Sequence, residues 1–517
     1  MTATLHKLGA GMSAGLYYTN DSAREARPDR RDEYYVGDGG GIWWSSGESV
    51  VRHGAAIDRN SFRDLCAGRD PRTAKALVRG AGEGHWAGLD MTLTPGKSVS
   101  ILWAAGTKEQ RAMIEAAHDA AVDRALRFVV DENLVVVRQG AGGAEKSPPT
   151  DLIVGRFNHF TTRAGDPNIH SHCVFMNVAG APTNGGSERH KTAHLTIEPE
   201  KLFVAHKCVG AAYRATLAEQ LAQHGLTPRP AGRGQWELTG IDQPLIERFS
   251  KRSHDIEAAV GRDASAAQKE IAALRTRQGK EELPTGEELE RQWRYELVQA
   301  GSDPWVSARD PATEHAPDIN RADERDHDPV LDPPEIPGPQ ALAIAASHLF
   351  RHESVLDRRR LLEESLIEGA LQSLGPDEIY RQIAALEAKR ALIRLSPEAW
   401  TTPSVAAAEA AMLRAAERPQ EREWFTPQAL EAALRARLIC LISSGRPSWK
   451  PRARTASRSL RRAPEPARPP WRARSSMPGG DRTSRSSDSR QVGSRRTNSP
   501  NPPASSAPRS RSGGMTI

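Results

Sequence analysis

Apolar and polar positions alternate most clearly in the segment 151–178, DLIVGRFNHFTTRAGDPNIHSHCVFMNV. Residues 152–160 and 170–178 are apolar-rich runs of strand length. The TTRAGDPNI between them carries the Gly, Asp-Pro and Asn of a loop, so the pattern predicts a β-hairpin. Upstream, residues 2–8 predict a short strand that Gly9 and Gly11 end before a helix-compatible MSAGLYY, 48–65 fits a short helix, and 88–94 alternates as a strand. Residues 108–128 read as an amphipathic helix ahead of a strand at 134–138. Further on, 202–224 is helical, 225–240 is a turn-rich hairpin around Trp236, and 241–300 is charged and mostly helical. The period is lost over 304–339, a Pro-, Asp- and Arg-rich linker, and returns over 340–440 as a small separate helical domain. Residues 441–517 are Arg, Ser and Pro, a composition that cannot build a core and predicts disorder.

Strand alternation puts His170 and His172 on one face and Ser171 and Cys173 on the other, and the hairpin partner can bring His159 beside the first pair. Three neutral imidazoles with an open fourth position describe a catalytic metal site, here over an apolar floor of Val174 and Met176. In a chain with 16 histidines an H-x-H pair alone names no reaction. The N-terminal region narrows it, because Tyr17-Tyr18 and Tyr34-Tyr35 place four of the chain's seven tyrosines close together. A single Tyr-Tyr pair is ordinarily an amphipathic anchor. Repeated beside a metal site, its hydroxyl becomes a nucleophile toward phosphorus once a cation lowers its pKa or neutralises the phosphate. Asp90, inside the 88–94 strand, would accept an imidazole N–H and fix the tautomer. Arg69, Arg72, Lys75 and Arg79, with Arg163 in the hairpin loop, are candidates to contact phosphates; a solvated basic face is the plain alternative.

Charge sharpens the division of the chain. Residues 441–517 hold 17 Lys and Arg against 3 Asp and Glu, so the formal charge of +6 conceals a net −8 over 1–440. DNA affinity in the folded part must therefore come from local patches. The abruptness of that switch reads more as translation in another frame of a GC-rich gene than as an evolved domain, the alternative being a polycationic DNA-binding tail. Four scattered cysteines without C-x-x-C argue against a disulfide framework or a thiolate zinc site. No apolar run approaches a membrane span and no secretory signal opens the chain, which predicts a cytoplasmic protein. GAGGAEKS at 140–147 imitates a phosphate-binding loop but has Glu145 where the glycine before Lys146 is needed, so no nucleotide cofactor is expected.

The two tyrosine doublets, GLDMTLTPGKSVS with Asp90, GRFNHFTTRAGDPNIHSHCVFMN and FSKRS at 249–253 occur in the order of the conjugative relaxases of the TraI/TrwC (MobF) family, HUH endonucleases, which this chain resembles. The resemblance covers about 1–303 as a relaxase domain and, more weakly, 340–440 as the start of the helicase region of full-length relatives. It implies an α+β fold, an antiparallel sheet flanked by helices. It implies site- and strand-specific nicking and strand transfer at a plasmid transfer origin through a 5′-phosphotyrosine, with Tyr17 attacking first and Tyr34 second. It also implies His159, His170 and His172 on a divalent metal with Asp90 behind them. Mg²⁺ or Mn²⁺ comes first, with Zn²⁺, Ni²⁺ or Co²⁺ compatible with histidine ligands. The implied partners are single-stranded DNA with an adjacent hairpin, accessory relaxosome proteins and a coupling protein. A rolling-circle replication initiator, a three-histidine hydrolase using activated water, and a catalytically idle DNA-binding relic are the competing readings. The loop between the doublets is long for the family, Pro95-Gly96-Lys97 stands where relatives have Pro-Lys, and no helicase follows in these residues.

Overall fold

In the computed structural model, the described residues are 2–9, 40–139, 143–162, 164–181, 194–232, 234–261, 263–276, 284–309, 340–350 and 353–417. Tyr17, Tyr18, Tyr34, Tyr35, Arg163, residues 310–339 and the Arg/Ser/Pro tail lie outside them.

The architecture is a mixed helix and antiparallel sheet. Its main strands are β1 (Thr2–Lys7), β2 (Ile42–Ser45), β3 (Gly88–Thr94), β4 (Asp151–Thr161) and β5 (Pro167–Gly180), in the spatial order β1-β3-β5-β4-β2, with His194–Leu195 added to the end of β5. The expected hairpin is thus the centre of the sheet, longer than the apolar runs alone indicated. Gly88 opens β3 at φ +139°, where a Cβ would come within 1.9 Å of the Phe175 carbonyl, so glycine is what lets β3 close on β5.

Each face of the sheet has its own core. The rear face carries Leu89, Met91, Leu93, Cys173 and Phe175 into a large cluster with α2 (Lys97–Ala105), α3 (Lys108–Asp131) and α4 (Glu200–Ala222). The front face carries Ile153, Phe157, Val174, Met176 and Val178 into a smaller cluster closed by Trp43 and by Phe62, Leu65 and Cys66 of α1 (Arg59–Cys66). This is the apolar floor that alternation predicted. The α1 helix is shorter than expected because Asp58 caps it, accepting from Ser61 N–H at 2.9 Å, while Ala56 before it bridges to Ile42 of β2.

Two boundaries differ from the sequence reading. The expected linker does not begin at 304: Pro304–Arg309 is a helical turn whose buried Trp305 donates Nε1–H to the Leu102 carbonyl at 2.8 Å. The segment read as a separate helical domain packs on α4 and shares the rear cluster through Leu361, Leu362 and Leu366 of α8 (Arg358–Leu371), Ile379 and Trp400. Residues 340–417 also contain a small three-stranded sheet, 356–357, 399–401 and 393–396. The reason lies in α4: EKLFVAHKCVGAAYRATLAEQLA is apolar nearly all round, and a helix of that kind needs cover on two sides. The α3 helix with β1 supplies one and α8 the other. Arg358 adds a two-pronged bond to Glu132 at 2.8 Å, which also accepts from Tyr380.

Candidate active site

The site is built on the front face of the β4–β5 hairpin. His159 stands directly opposite His170, and His172 follows two residues along β5, opposite Phe157 on one side and Thr92 on the other. The three rings form an equilateral triangle, with centroids 5.3 Å apart in every pair. Three imidazoles sharing a tetrahedral ion at the ~2.1 Å of a metal–histidine bond bring their centroids about 5 Å apart, so the triangle has the size a cation needs. Among the described residues no group of three or more His, Cys, Asp or Glu is set to hold an ion as it stands. The rings are tilted 27° to 84° to one another, and side-chain rotation is what remains to gather the donor nitrogens.

Neighbouring groups decide which nitrogens face inward. Buried Asp90 holds His172 Nδ1 at 2.8 and 3.0 Å with its two oxygens, and Thr92 Oγ1 lies 3.2 Å from the same nitrogen. A carboxylate there accepts the hydrogen bond from Nδ1–H, which keeps the proton on Nδ1 and leaves Nε2 with its lone pair. His170 Nδ1 is likewise bonded, to the Asn168 carbonyl at 2.9 Å. Burial, reinforced by His172, pushes His170 down to about 4, so its imidazole is neutral at physiological pH. The structure therefore brings together His159, His170, His172 and Asp90 as the sequence implied.

The hairpin loop is held by residues to which the sequence reading gave no role. Gly165 takes φ +77°, and its carbonyl accepts from Trp293 Nε1 of α6 (Gly286–Gln299) at 2.7 Å. Fully buried Asp166 accepts the Lys251 N–H at 2.8 Å, and Lys251 Nζ reaches Asp166 at 3.4 Å and Glu296 at 2.8 Å. Lys251 belongs to FSKRS, so that motif anchors the loop that ends in His170. Lys97 donates to the Pro167 carbonyl at 3.0 Å, and burial lowers it to about 8. These residues are far apart in sequence; the only signal was the occurrence of FSKRS in family order.

Arg69, Arg72, Lys75 and Arg79 are all exposed, in a turn-rich loop after α1 rather than on a regular element. Burial pushes the thiols of Cys66 and Cys173 up to about 12, so both are neutral at physiological pH. On the rear face His118 is buried and neutral, lowered to about 3 by burial first and then by Arg156. Its folded value lies below the ordinary 6.5, so the unfolded chain binds the proton first as pH falls. Stability should decline from pH 6.5 downward by up to about 1.4 kcal/mol per pH unit for this group. Urea unfolding at pH 7 and pH 5 checks it: His118→Gln should show a shallower decline than the native chain.

Residues 12–300 match the family model of the TrwC relaxase, which is more than half of the chain. The chain belongs to the TrwC relaxase family. Among curated proteins it is similar to the multifunctional conjugation protein TraI of Escherichia coli (strain K12), 30% identical over 331 residues that cover 60% of this chain and 18% of TraI. A second Escherichia coli TraI is 30% identical over 327 residues. The chain thus spans about a fifth of the length of these relatives. Among solved structures it is similar to a TrwC relaxase in complex with oriT DNA in a copper-bound form, at 28% identity and TM-score 0.49, covering 59% of this chain and all of that one. TrwC complexed with a 27-mer DNA comprising the recognition hairpin and the cleavage site matches at 26% and 0.46 over the same share of each chain. Among the described residues no helix is long and apolar enough to cross a membrane.

Proposed function

We propose that this relaxase nicks one strand of DNA at a transfer origin and holds the cut end as a 5′-phosphotyrosine, using a divalent cation at His159, His170 and His172. The observation that carries the reading is the 5.3 Å triangle of rings with Asp90 on His172 Nδ1. A cation held there would set positive charge against the non-bridging oxygens of the scissile phosphate. Mn²⁺ or Mg²⁺ is the ion expected in the cell.

The chain's own residues do the rest. Tyrosine attack forms an O–P bond and breaks the bond from phosphorus to the 3′ oxygen of the preceding nucleotide, leaving a free 3′-hydroxyl and passing the phenolic proton to a base or solvent. One phosphodiester replaces another, so no ATP is consumed. Asp90 keeps His172 in a single tautomer and orientation. Gly9 is tied to the sheet by the Ala87 N–H, Tyr17 is eight residues on, and Gly41, seven residues after Tyr34, lies against Phe157 on the histidine face. Eight residues span at most roughly 28 Å. A single-stranded substrate with a flanking hairpin, relaxosome and coupling proteins as partners, and a cytoplasmic site of action complete the proposal.

Single-stranded oligonucleotides tiled across the DNA adjoining the gene, incubated with the protein and Mn²⁺, should give a denaturation-resistant protein–DNA band. Cleavage without an adduct would make the protein a hydrolase, and binding without cleavage a relic; either sinks the proposal. Asp90→Asn should slow cleavage about 10- to 100-fold, since the amide still accepts from Nδ1 but no longer brings a negative charge. Single-turnover rates decide this, and a loss as complete as that of a histidine variant would count against the assigned role.

For DNA binding, Arg69, Arg72, Lys75, Arg79 and Arg163 are the phosphate contacts we infer. Each alanine variant should weaken binding and reduce the slope of log affinity on log salt by about one. Salt titration of the five variants tests it; unchanged slopes throughout reject the patch.

A further inference from the structure

Behind the triad a chain of polar groups crosses the otherwise apolar rear core. Tyr213 of α4 stands with its hydroxyl 2.8 Å from His118 Nδ1, and His118 Nε2 is 2.7 Å from Ser171 Oγ. Ser171 donates to Asn158 Oδ1 at 2.6 Å, and Asn158 Nδ2 donates to Asp119 Oδ1 at 2.9 Å, where Arg156 also binds at 2.8 Å. Because the Ser171 proton goes to Asn158, its oxygen accepts from His118 Nε2–H, and His118 Nδ1 accepts from Tyr213. The direction of every bond is thereby set.

The location gives the network its meaning. Ser171 lies between His170 and His172 and pairs across the hairpin with Asn158, the neighbour of His159. The ladder is irregular on both flanks, between Leu152 and Val154 and between His159 and Thr161, so the regular pairing that carries the triad is the short stretch from Val154 to His159. A slip of one residue would turn every side chain to the other face. Apolar groups of the same shape would fill this space at a smaller desolvation cost, so what the polar chain adds is direction and register.

We propose that His118 is a positioning residue of the histidine triad: through Ser171 and Asn158 it pins β4 against β5 from the rear, so that His159, His170 and His172 meet at one point on the front. Ser171 is its contact point on the hairpin. The inference rests on the metal-binding reading of the triad.

Mn²⁺ binding by calorimetry and thermal melts of the full chain test it, on the native protein, His159→Ala, Ser171→Ala, His118→Gln and His118→Leu. Ser171→Ala and His118→Leu should bind Mn²⁺ roughly 10- to 100-fold more weakly. His118→Gln should stay near the native affinity, since its amide can both donate and accept. A network that only stabilises the fold would lower the melting temperature and leave Mn²⁺ affinity within about twofold of native, which overturns the proposal, as does a glutamine variant as weak as the leucine one. Ser171→Ala removes a single oxygen and keeps the test decisive if His118→Leu does not fold. Native protein that binds no Mn²⁺ overturns the metal reading and this proposal together; native binding lost in His159→Ala but unchanged in Ser171→Ala overturns the positioning role alone.

Discussion

His159→Ala, His170→Ala and His172→Ala should each abolish covalent cleavage, by at least about 100-fold, while DNA binding stays within a few-fold of native. Each removes one corner of a triangle whose rings are 5.3 Å apart, and the remaining two imidazoles cannot replace the missing donor because β4 and β5 hold them by register. The folded core should survive, since all three histidines are only partly buried and the apolar floor beneath them, Val174 and Met176, is untouched. The effect belongs to the chemical step: an uncompensated charge on the attacked phosphate raises the barrier, whereas the basic residues proposed to contact the strand are elsewhere in the sequence. Metal content measured on each purified variant is the check. Normal stoichiometry in all three would end the idea that they form one site.

Tyr17→Phe should lose the first covalent cleavage altogether, a drop on the order of 10⁴-fold or more, because it deletes the attacking oxygen and little else. Consecutive residues on the helix that MSAGLYY predicts point about 100° apart, so Tyr17 and Tyr18 cannot both face the histidines. Tyr18→Phe should therefore cleave normally. Tyr34→Phe should pass the first cleavage and fail mainly in the later transfer that rejoins or re-cuts the strand, when Tyr17 is occupied by DNA. Tyr35→Phe should resemble Tyr18→Phe. Peptide mapping of the trapped adduct settles the order: DNA on Tyr18, or on Tyr34 in a first turnover of the native chain, would show the assignment to be wrong.

The four residues with the clearest local signal lie together in the structure. Alternation is a local property, so His170 and His172 were bound to share a face, and a loop as short as TTRAGDPNI left His159 few places to go but opposite them. Asp90 was legible because 88–94 reads as a strand, although its choice of His172 depended on β3 lying beside β5. The anchors of the hairpin loop were not legible. Asp166, Lys251, Glu296 and Trp293 meet only because two distant segments fold onto one turn, and no local pattern encodes that meeting.

The sequence by itself determined the strand faces, the presence of the main helices, the shared face of His170 and His172 and the division of charge between −8 over residues 1–440 and a cationic remainder, because each depends on composition or on residues close together in the chain. Only the tertiary structure decided that 340–417 lies against α4 instead of standing apart, that Trp305 joins the core, and that His118 reaches the back of the hairpin through Ser171. These are contacts across tens to hundreds of residues. They are chosen by which apolar surfaces still need cover and which buried polar groups still need partners once the local elements exist.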